Sequence, residues 1–287
     1  MKLKCWIEAM RLRTLPVSVA GVITATALAI HDNVNITAVA ILCLTFAVLA
    51  QIASNFANEY YDFKDGLDAP GRVGPRRGVT EGDITPGAMK LATFMTLGAA
   101  CAVGLSLIHW GGWWLIAAGV LIAVGVLAYS SGPYPLSRHG LGEVAVIFFF
   151  GIIPVCLTYY VMSGTVTRTV ALTSVAVGLM GANVLLVNNY RDADADRAVN
   201  KHTLAVIFGR RVASTLYLIN GLVAVALLIP LLADNAVAGS IIAAIYIILH
   251  ARLWHMLTHR TGTALNPLLG MTSVLMLAVA LSLLFIA

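Results

Sequence analysis

Asn58-Glu59-Tyr60-Tyr61-Asp62-Phe63-Lys64-Asp65-Gly66-Leu67-Asp68 follows an apolar run long enough to cross a bilayer. Its eleven residues hold an amide, four carboxylates and a lysine. A second stretch, Asn188-Asn189-Tyr190-Arg191-Asp192-Ala193-Asp194-Ala195-Asp196, ends another apolar run in nearly the same way. Both contain Asn-x-x-x-Asp, as Asn58/Asp62 and Asn188/Asp192, 130 residues apart. The chain has only 13 acidic residues, and seven of them lie in these two patches.

The surrounding chain is 60% hydrophobic and 11% charged over 287 residues, with a mean hydropathy of +0.89. Soluble domains carry about 25% charged residues, so this composition reads as a polytopic membrane protein. Nine apolar segments of spanning length can be drawn, at 14–31, 36–58, 87–109, 113–130, 141–162, 169–190, 212–232, 236–257 and 264–286. All are read as helices, because a spanning segment must satisfy its own backbone and no ten-residue barrel alternation is present. The basic leader through Arg13 followed by an apolar run resembles a signal peptide, but it reads better as the first of many spans. Cys5, Cys43, Cys101 and Cys156 show no paired spacing and read as packed thiols.

Placing the N-terminus in the cytoplasm puts 17 of the 18 basic residues on or near the cytoplasmic side, with Arg168 as the exception. The C-terminus then lies outside. The expected location is a bacterial cytoplasmic (inner) membrane. Two long inner loops, 62–86 and 191–211, each begin with an acidic patch and follow helices 2 and 6. That spacing suggests one domain over 1–287, with helices 1–4 carrying the first motif, helices 5–8 the second, and helix 9 appended.

Residues i, i+4 and i+8 form one drifting stripe on a helix. Asn188, Asp192 and Asp196 share a face if helix 6 continues past the membrane. Gln51, Asn55, Asn58 or Glu59, and Asp62 make a polar stripe down helix 2. Asp68 leaves that face, and Gly66 offers a place for the helix to end so that Asp68 curls back. Clustered carboxylates at about 4 Å repel by roughly 1–4 kcal/mol. Two readings answer that cost: salt-bridged, solvated loops, or divalent metal held by carboxylates and phosphate oxygens, with the bases on the rest of the anion. The second suits an amphiphile with a diphosphate head and a lipid-soluble tail. Metal would stabilise the departing diphosphate, and the bundle interior would shield a carbocation from water. This reasoning reaches a prenyl diphosphate at the cytoplasmic face but not the acceptor. His255 and His259, at i, i+4 with no acidic partner nearby, read as an interfacial pair.

The paired motifs resemble those of the UbiA superfamily of intramembrane prenyltransferases. Trp6-x-x-Ala9-x-Arg11-x-Arg13-Thr14-Leu15-Pro16, Gly74-Pro75-Arg76-Arg77-Gly78, Tyr129-Ser130-Ser131-Gly132-Pro133-Tyr134-Pro135-Leu136 and Gly140-Leu141-Gly142-Glu143 narrow the likeness. So does the second motif through Lys201-His202-Thr203-Leu204-Ala205-Val206. Together they are similar to the 1,4-dihydroxy-2-naphthoate polyprenyltransferases of menaquinone biosynthesis, from helix 1 to about residue 210. The last three helices add only hydrophobicity.

The resemblance implies an all-α bundle that transfers a polyprenyl group from polyprenyl diphosphate to 1,4-dihydroxy-2-naphthoate. CO₂ and diphosphate leave and demethylmenaquinone forms. It implies Mg²⁺ bound through Asp62, Asp68, Asp192 and Asp196, with Asn58 and Asn188 supporting. Glu59 stands where the superfamily more often has Asp. Lys64, Arg72, Arg76, Arg77, Arg191 and Lys201 are candidate binders of diphosphate or of the acceptor carboxylate, with positive-inside anchoring the alternative for each. Tyr129 and Tyr134 are candidates to face the cation or the acceptor, and Arg138 and His139 flank that loop. The expected partners are the two substrates and the lipid bilayer, with no nucleic acid. Alternatives are another acceptor, such as 4-hydroxybenzoate or homogentisate, and an ion-coupled transporter. The transporter reading fits poorly, because the acids sit at helix ends on one side and the two units keep the same orientation.

Overall fold

The computed structural model describes residues 2–68, 74 and 76–286. A short helix, α1 (Lys2–Ala9), precedes nine longer ones. These are α2 (Leu15–His31), α3 (Thr37–Lys64), α4 (Pro86–Ser106), α5 (Leu115–Ala128), α6 (Gly142–Ser163), α7 (Arg168–Ala198), α8 (Gly209–Leu232), α9 (Ala236–His259) and α10 (Asn266–Leu283). Seven stretches among the described residues are long and apolar enough to cross a membrane. One of them, Gly209–His259, is two helices joined by the turn Ala233–Asn235, and α5 is a shorter apolar helix. The nine expected segments therefore all appear.

Two boundaries differ from the sequence expectation in a way that matters. Helix α3 runs to Lys64 and α7 to Ala198, six and eight residues beyond the apolar runs that ended at 58 and 190. Hydropathy marks where a helix leaves lipid, whereas hydrogen bonding continues until a stop signal. For α3 the stop is Gly66, whose φ of 70° turns the chain out of the helix. The first turns of both acidic loops are thus helical, and this holds their carboxylates rigidly.

Helix α7 lies at the centre, against α8, α6, α10 and α2, and is the most buried span. Small residues let the backbones approach. Between Ile147 and Ile152 helix α6 widens into a π turn, and there Gly151 meets Gly178 of α7. A Cβ built on Gly151 would stand 2.4 Å from the Gly178 backbone, so only glycine fits. His250 stacks with Tyr217 and Tyr246, and its Nε2 bonds the Tyr217 carbonyl at 3.1 Å. On the face opposite the acidic loops, Asp32 accepts hydrogen bonds from Tyr159 (2.5 Å) and His31 (2.9 Å), and His31 also pairs with Asp234 at 3.4 Å. His255 and His259 bring their rings within 3.9 Å, tilted by 31°, on the exposed end of α9.

Candidate active site

The extension of α3 carries the first motif on one stripe. Asn55, Asn58, Glu59 and Asp62 are all buried, Asp62 at 1% exposure. Asn58 Oδ1 accepts from Arg11 Nη2 at 2.6 Å and from Arg77 Nη2 at 3.0 Å, while its Nδ2 donates to Ser130 Oγ at 3.0 Å. Asp62 faces Arg77 (3.5 Å) and Arg138 (3.6 Å), and its Oδ1 accepts no hydrogen bond among the described residues. Past Gly66 the chain curls back, and Asp68 meets Arg77 Nε at 3.2 Å. Glu59 is occupied elsewhere: its longer side chain reaches the backbone N–H of Val79 at 3.0 Å and pins the turn that delivers Arg77. Asp65 lies outward and pairs with Arg138 at 2.6 Å.

The extension of α7 carries the second motif. Asn188, Asp192 and Asp196 follow one stripe, with both aspartates buried. Arg191 grips Asp192 through two hydrogen bonds of 2.7 Å, donates to Asn188 Oδ1 at 2.7 Å, and reaches Asn266 Oδ1 at 3.1 Å. Lys201 stands 3.7 Å from Asp196. Asp194 points away, toward Arg197 and Arg210. Asn189 donates to buried Glu143 at 2.8 Å.

The two copies therefore build the same set of groups, an asparagine oxygen and an aspartate sharing one guanidinium. In the first copy the arginine comes from a loop; in the second it comes from the helix itself. Parallel bridging between His139 and His202 joins the α5–α6 loop to the loop after α7, with His202 N bonding the Arg138 carbonyl at 3.0 Å.

Between the copies lies a basic chamber of about 490 Å³. Its wall includes Arg11, Arg13, Arg77, Arg191 and Lys201, with Asn58 and Asn188 from the two motifs. Beneath it an apolar chamber of about 340 Å³ extends between α2, α3, α4, α5 and α6. Gln51, Ser54, Tyr129, Val146 and Phe150 line both and form the neck between them. A charged head and a hydrocarbon tail on one molecule match this pair of chambers.

The other sequence candidates are placed as follows. Tyr129 lies at the neck, in the fields of Glu143, Asp62, Arg11 and Asp196. Arg138 bridges Asp62 and Asp65 from the side, and its Nη2 also donates to the Ser130 carbonyl at 2.9 Å. Arg76 pairs with Asp83 at the chamber edge. Tyr134 is 57% exposed and stacks on His139, and Lys64 is exposed at the end of α3. Arg72 lies outside the described residues.

Two participants escaped sequence reasoning. Arg11 adopts φ 53°, a left-handed backbone rare for arginine, and this aims its guanidinium at Asn58. Glu143 is a membrane-level carboxylate on α6; a charge inside an apolar span was the available signal.

Among the described residues, no three carboxylate, histidine or cysteine side chains converge closely enough to hold an ion alone. The donors are instead two pairs of hard carboxylate oxygens, one pair in each motif and each beside a base that lines the chamber; among the described residues Asp62 Oδ1 accepts no hydrogen bond. This suits a hard divalent cation that completes its shell with phosphate oxygens, the usual habit of Mg²⁺.

The family model described as the UbiA prenyltransferase family matches residues 18–276. The chain is 36% identical over 214 residues to the 1,4-dihydroxy-2-naphthoate octaprenyltransferase of Escherichia coli (strain K12), covering 72% of this chain and 69% of that one. It is 37% identical over 221 residues to the enzyme of the same name from Mycobacterium tuberculosis (strain ATCC 25618 / H37Rv), covering 77% and 75%. A solved UbiA homolog from Archaeoglobus fulgidus, bound to DMAPP and Mg²⁺, shares the fold with a TM-score of 0.69 at 15% identity, over 98% of this chain and 99% of that one. A helical bundle built around two copies of an Asn–Arg–Asp set, matched over most of its length by that model, is thus accounted for: this integral membrane protein belongs to the UbiA prenyltransferase family.

Proposed function

We propose that the protein transfers a long polyprenyl group from polyprenyl diphosphate to 1,4-dihydroxy-2-naphthoate, giving demethylmenaquinol, the reduced form of demethylmenaquinone, for menaquinone biosynthesis. The observation that carries this reading is the basic chamber, flanked by both acidic motifs and opening through a neck into an apolar one. The bacterial relatives named as dihydroxynaphthoate octaprenyltransferases support the choice of acceptor.

In this reading Asp62, Asp68, Asp192 and Asp196 hold Mg²⁺, which neutralises charge on the diphosphate when bound. Arg77, Arg191, Arg138 and Lys201 already touch those carboxylates, so they are placed to bind the remaining phosphate oxygens. Asn58 and Asn188 fix the arginines. The tail enters the apolar chamber, leaving the allylic carbon at the neck. There the C–O bond breaks and diphosphate keeps the electron pair. Phe150 and Tyr129 exclude water and present polarisable faces to the cation. The electron-rich ring forms the new C–C bond, and the carboxyl group leaves as CO₂, returning its electrons to the ring. Arg72 stays a candidate binder of diphosphate or of the acceptor carboxylate on sequence grounds alone, and Lys64 and Tyr134 are exposed candidates.

The motifs face the cytoplasm and the membrane is the bacterial inner membrane, as the distribution of basic residues favours. A cysteine placed at Glu81 should be labelled from the inner face and one at Asn33 from the outer. The functional test is a membrane assay with labelled polyprenyl diphosphate and a panel of aromatic acids. Carboxyl-labelled dihydroxynaphthoate should release labelled CO₂ in step with diphosphate. Turnover of 4-hydroxybenzoate or homogentisate, with none of the naphthoate, would overturn the assignment.

A further inference from the structure

Three polar groups at the neck have no protein partner among the described residues. Gln51 is 8% exposed, yet its Oε1 accepts no hydrogen bond. The orientation of its amide is fixed by its neighbours. Asn55 Nδ2 donates to the Met10 carbonyl at 2.9 Å, which turns Asn55 Oδ1 toward Gln51. Thr14 Oγ1 donates to the Arg11 carbonyl at 2.9 Å, which leaves that hydroxyl as an acceptor for Gln51. Both accept from Gln51 Nε2, at 3.3 and 3.4 Å, so its oxygen has to be the group that remains.

Ser54 lies one turn away on α3 and lines both chambers. Helical hydroxyls elsewhere in the bundle, such as Thr26, Thr45, Thr93, Ser163 and Thr272, bond a carbonyl of the preceding turn. Ser54 makes no such bond among the described residues, and neither does the Tyr129 hydroxyl. Unsatisfied polar groups beside an apolar chamber are costly, and three at one constriction indicate a ligand that satisfies them.

We propose that Gln51, with Ser54 and Tyr129, is the collar that recognises a ring hydroxyl of the aromatic acceptor and so sets its orientation and the choice of acceptor. This rests on the reading of the chain as a dihydroxynaphthoate prenyltransferase. An amide oxygen accepts only, so it repels phosphate and carboxylate oxygens and selects a donor. In 1,4-dihydroxy-2-naphthoate the 1-hydroxyl is bonded internally to the adjacent carboxylate. The 4-hydroxyl is the donor left for Gln51. Gln51 stands eleven residues below Asp62 on one helix, about 16 Å of rise. This leaves room for a diphosphate head with the acceptor ring below it. The acceptor carboxylate then faces the basic chamber, and donation to Gln51 pushes electron density into the ring.

The test compares 1,4-dihydroxy-2-naphthoate with 1-hydroxy-2-naphthoate, which lacks the 4-hydroxyl, as ligands of wild type, Gln51→Leu and Ser54→Ala. Affinity is read from KM for the first and from competitive inhibition for the second. Wild type should bind the analogue about tenfold more weakly. Gln51→Leu should bind both alike. Ser54→Ala, which alters little volume, should narrow the same gap and decides the matter if Gln51→Leu does not fold. A wild-type protein that turns over no dihydroxynaphthoate overturns the functional assignment. One that turns it over, while the gap persists in the folded variants, overturns only the collar.

Discussion

Arg191 and Asp192 are neighbours on one helix, yet the guanidinium folds back to take both carboxylate oxygens at 2.7 Å. Successive helical residues do not ordinarily face one another. Here Asn188 and Asn266 hold the arginine on the aspartate's side.

That pairing has a thermodynamic consequence. Asp62 and Asp68 are engaged by Arg77, Asp192 by Arg191, and Asp196 by Lys201. Mg²⁺ alone must pull carboxylates from bases, and pyrophosphate alone must pull bases from carboxylates. Together they exchange partners, so binding should be cooperative. Calorimetric titration of the detergent-solubilised protein should show pyrophosphate affinity rising at least about tenfold with Mg²⁺. Equal affinity with EDTA would remove this account.

Asp62→Asn and Asp192→Asn should each lower prenyl transfer by at least about a hundredfold. On the proposed reading both motifs act on one diphosphate, so the double variant should be little worse than either single one. The measurement is Mg²⁺-dependent turnover per folded protein. Half-activity in each single variant would instead mean two independent sites.

Gly151→Ala should destabilise the bundle by about 3 kcal/mol, because its Cβ would meet the Gly178 backbone and not a yielding side chain. Thermal melting in detergent would register this. A neighbouring lipid-facing change such as Phe148→Leu should leave the midpoint nearly unmoved.

Asp32 carries the pH dependence of its contacts with Tyr159 and His31 at the end opposite the acidic loops. Burial pushes its carboxyl up, but hydrogen bonds from Tyr159 and His31 and the charge on His31 outweigh it, so the net shift is downward. A carboxyl lowered on folding stabilises the fold above its unfolded value of about 4, and that stabilisation is lost as pH falls through the lower folded value. Tyr159→Phe should lower the melting temperature by about 2–4 °C at pH 6, with the gap closing below about pH 3. A gap that stays constant down to that pH would show that Asp32 is not the group concerned.

The helices were legible because lipid imposes them: apolar length and backbone satisfaction act locally. The curl of Asp68 past Gly66 and the shared stripe of Asn188, Asp192 and Asp196 were legible for a similar reason, since helix geometry and a stop residue decide them. Arg11 was not, because its role depends on a left-handed backbone that nothing in Arg-Leu-Arg-Thr announces. The occupation of Glu59 by Val79 depends on a loop returning from twenty residues away. The π turn leaves no trace in an apolar run, where inserting one residue into a turn changes no hydropathy. Gln51 was visible in the polar stripe, but only the hydrogen bonds of Asn55 and Thr14 show which end of its amide remains open.

The meeting of Gly151 and Gly178 also constrains the mutational history open to this chain. Every other amino acid is larger than glycine, so neither position has a conservative substitute. Compensation by shrinking the opposite residue is closed as well, since it is already the smallest. Sequence drift can rework the tail chamber, the loops and the lipid-facing surface, but it must leave this crossing alone or change the spacing of two helices at once. The neck residues on α6 and the second motif on α7 are therefore held in mutual register by a contact that point mutation cannot retune.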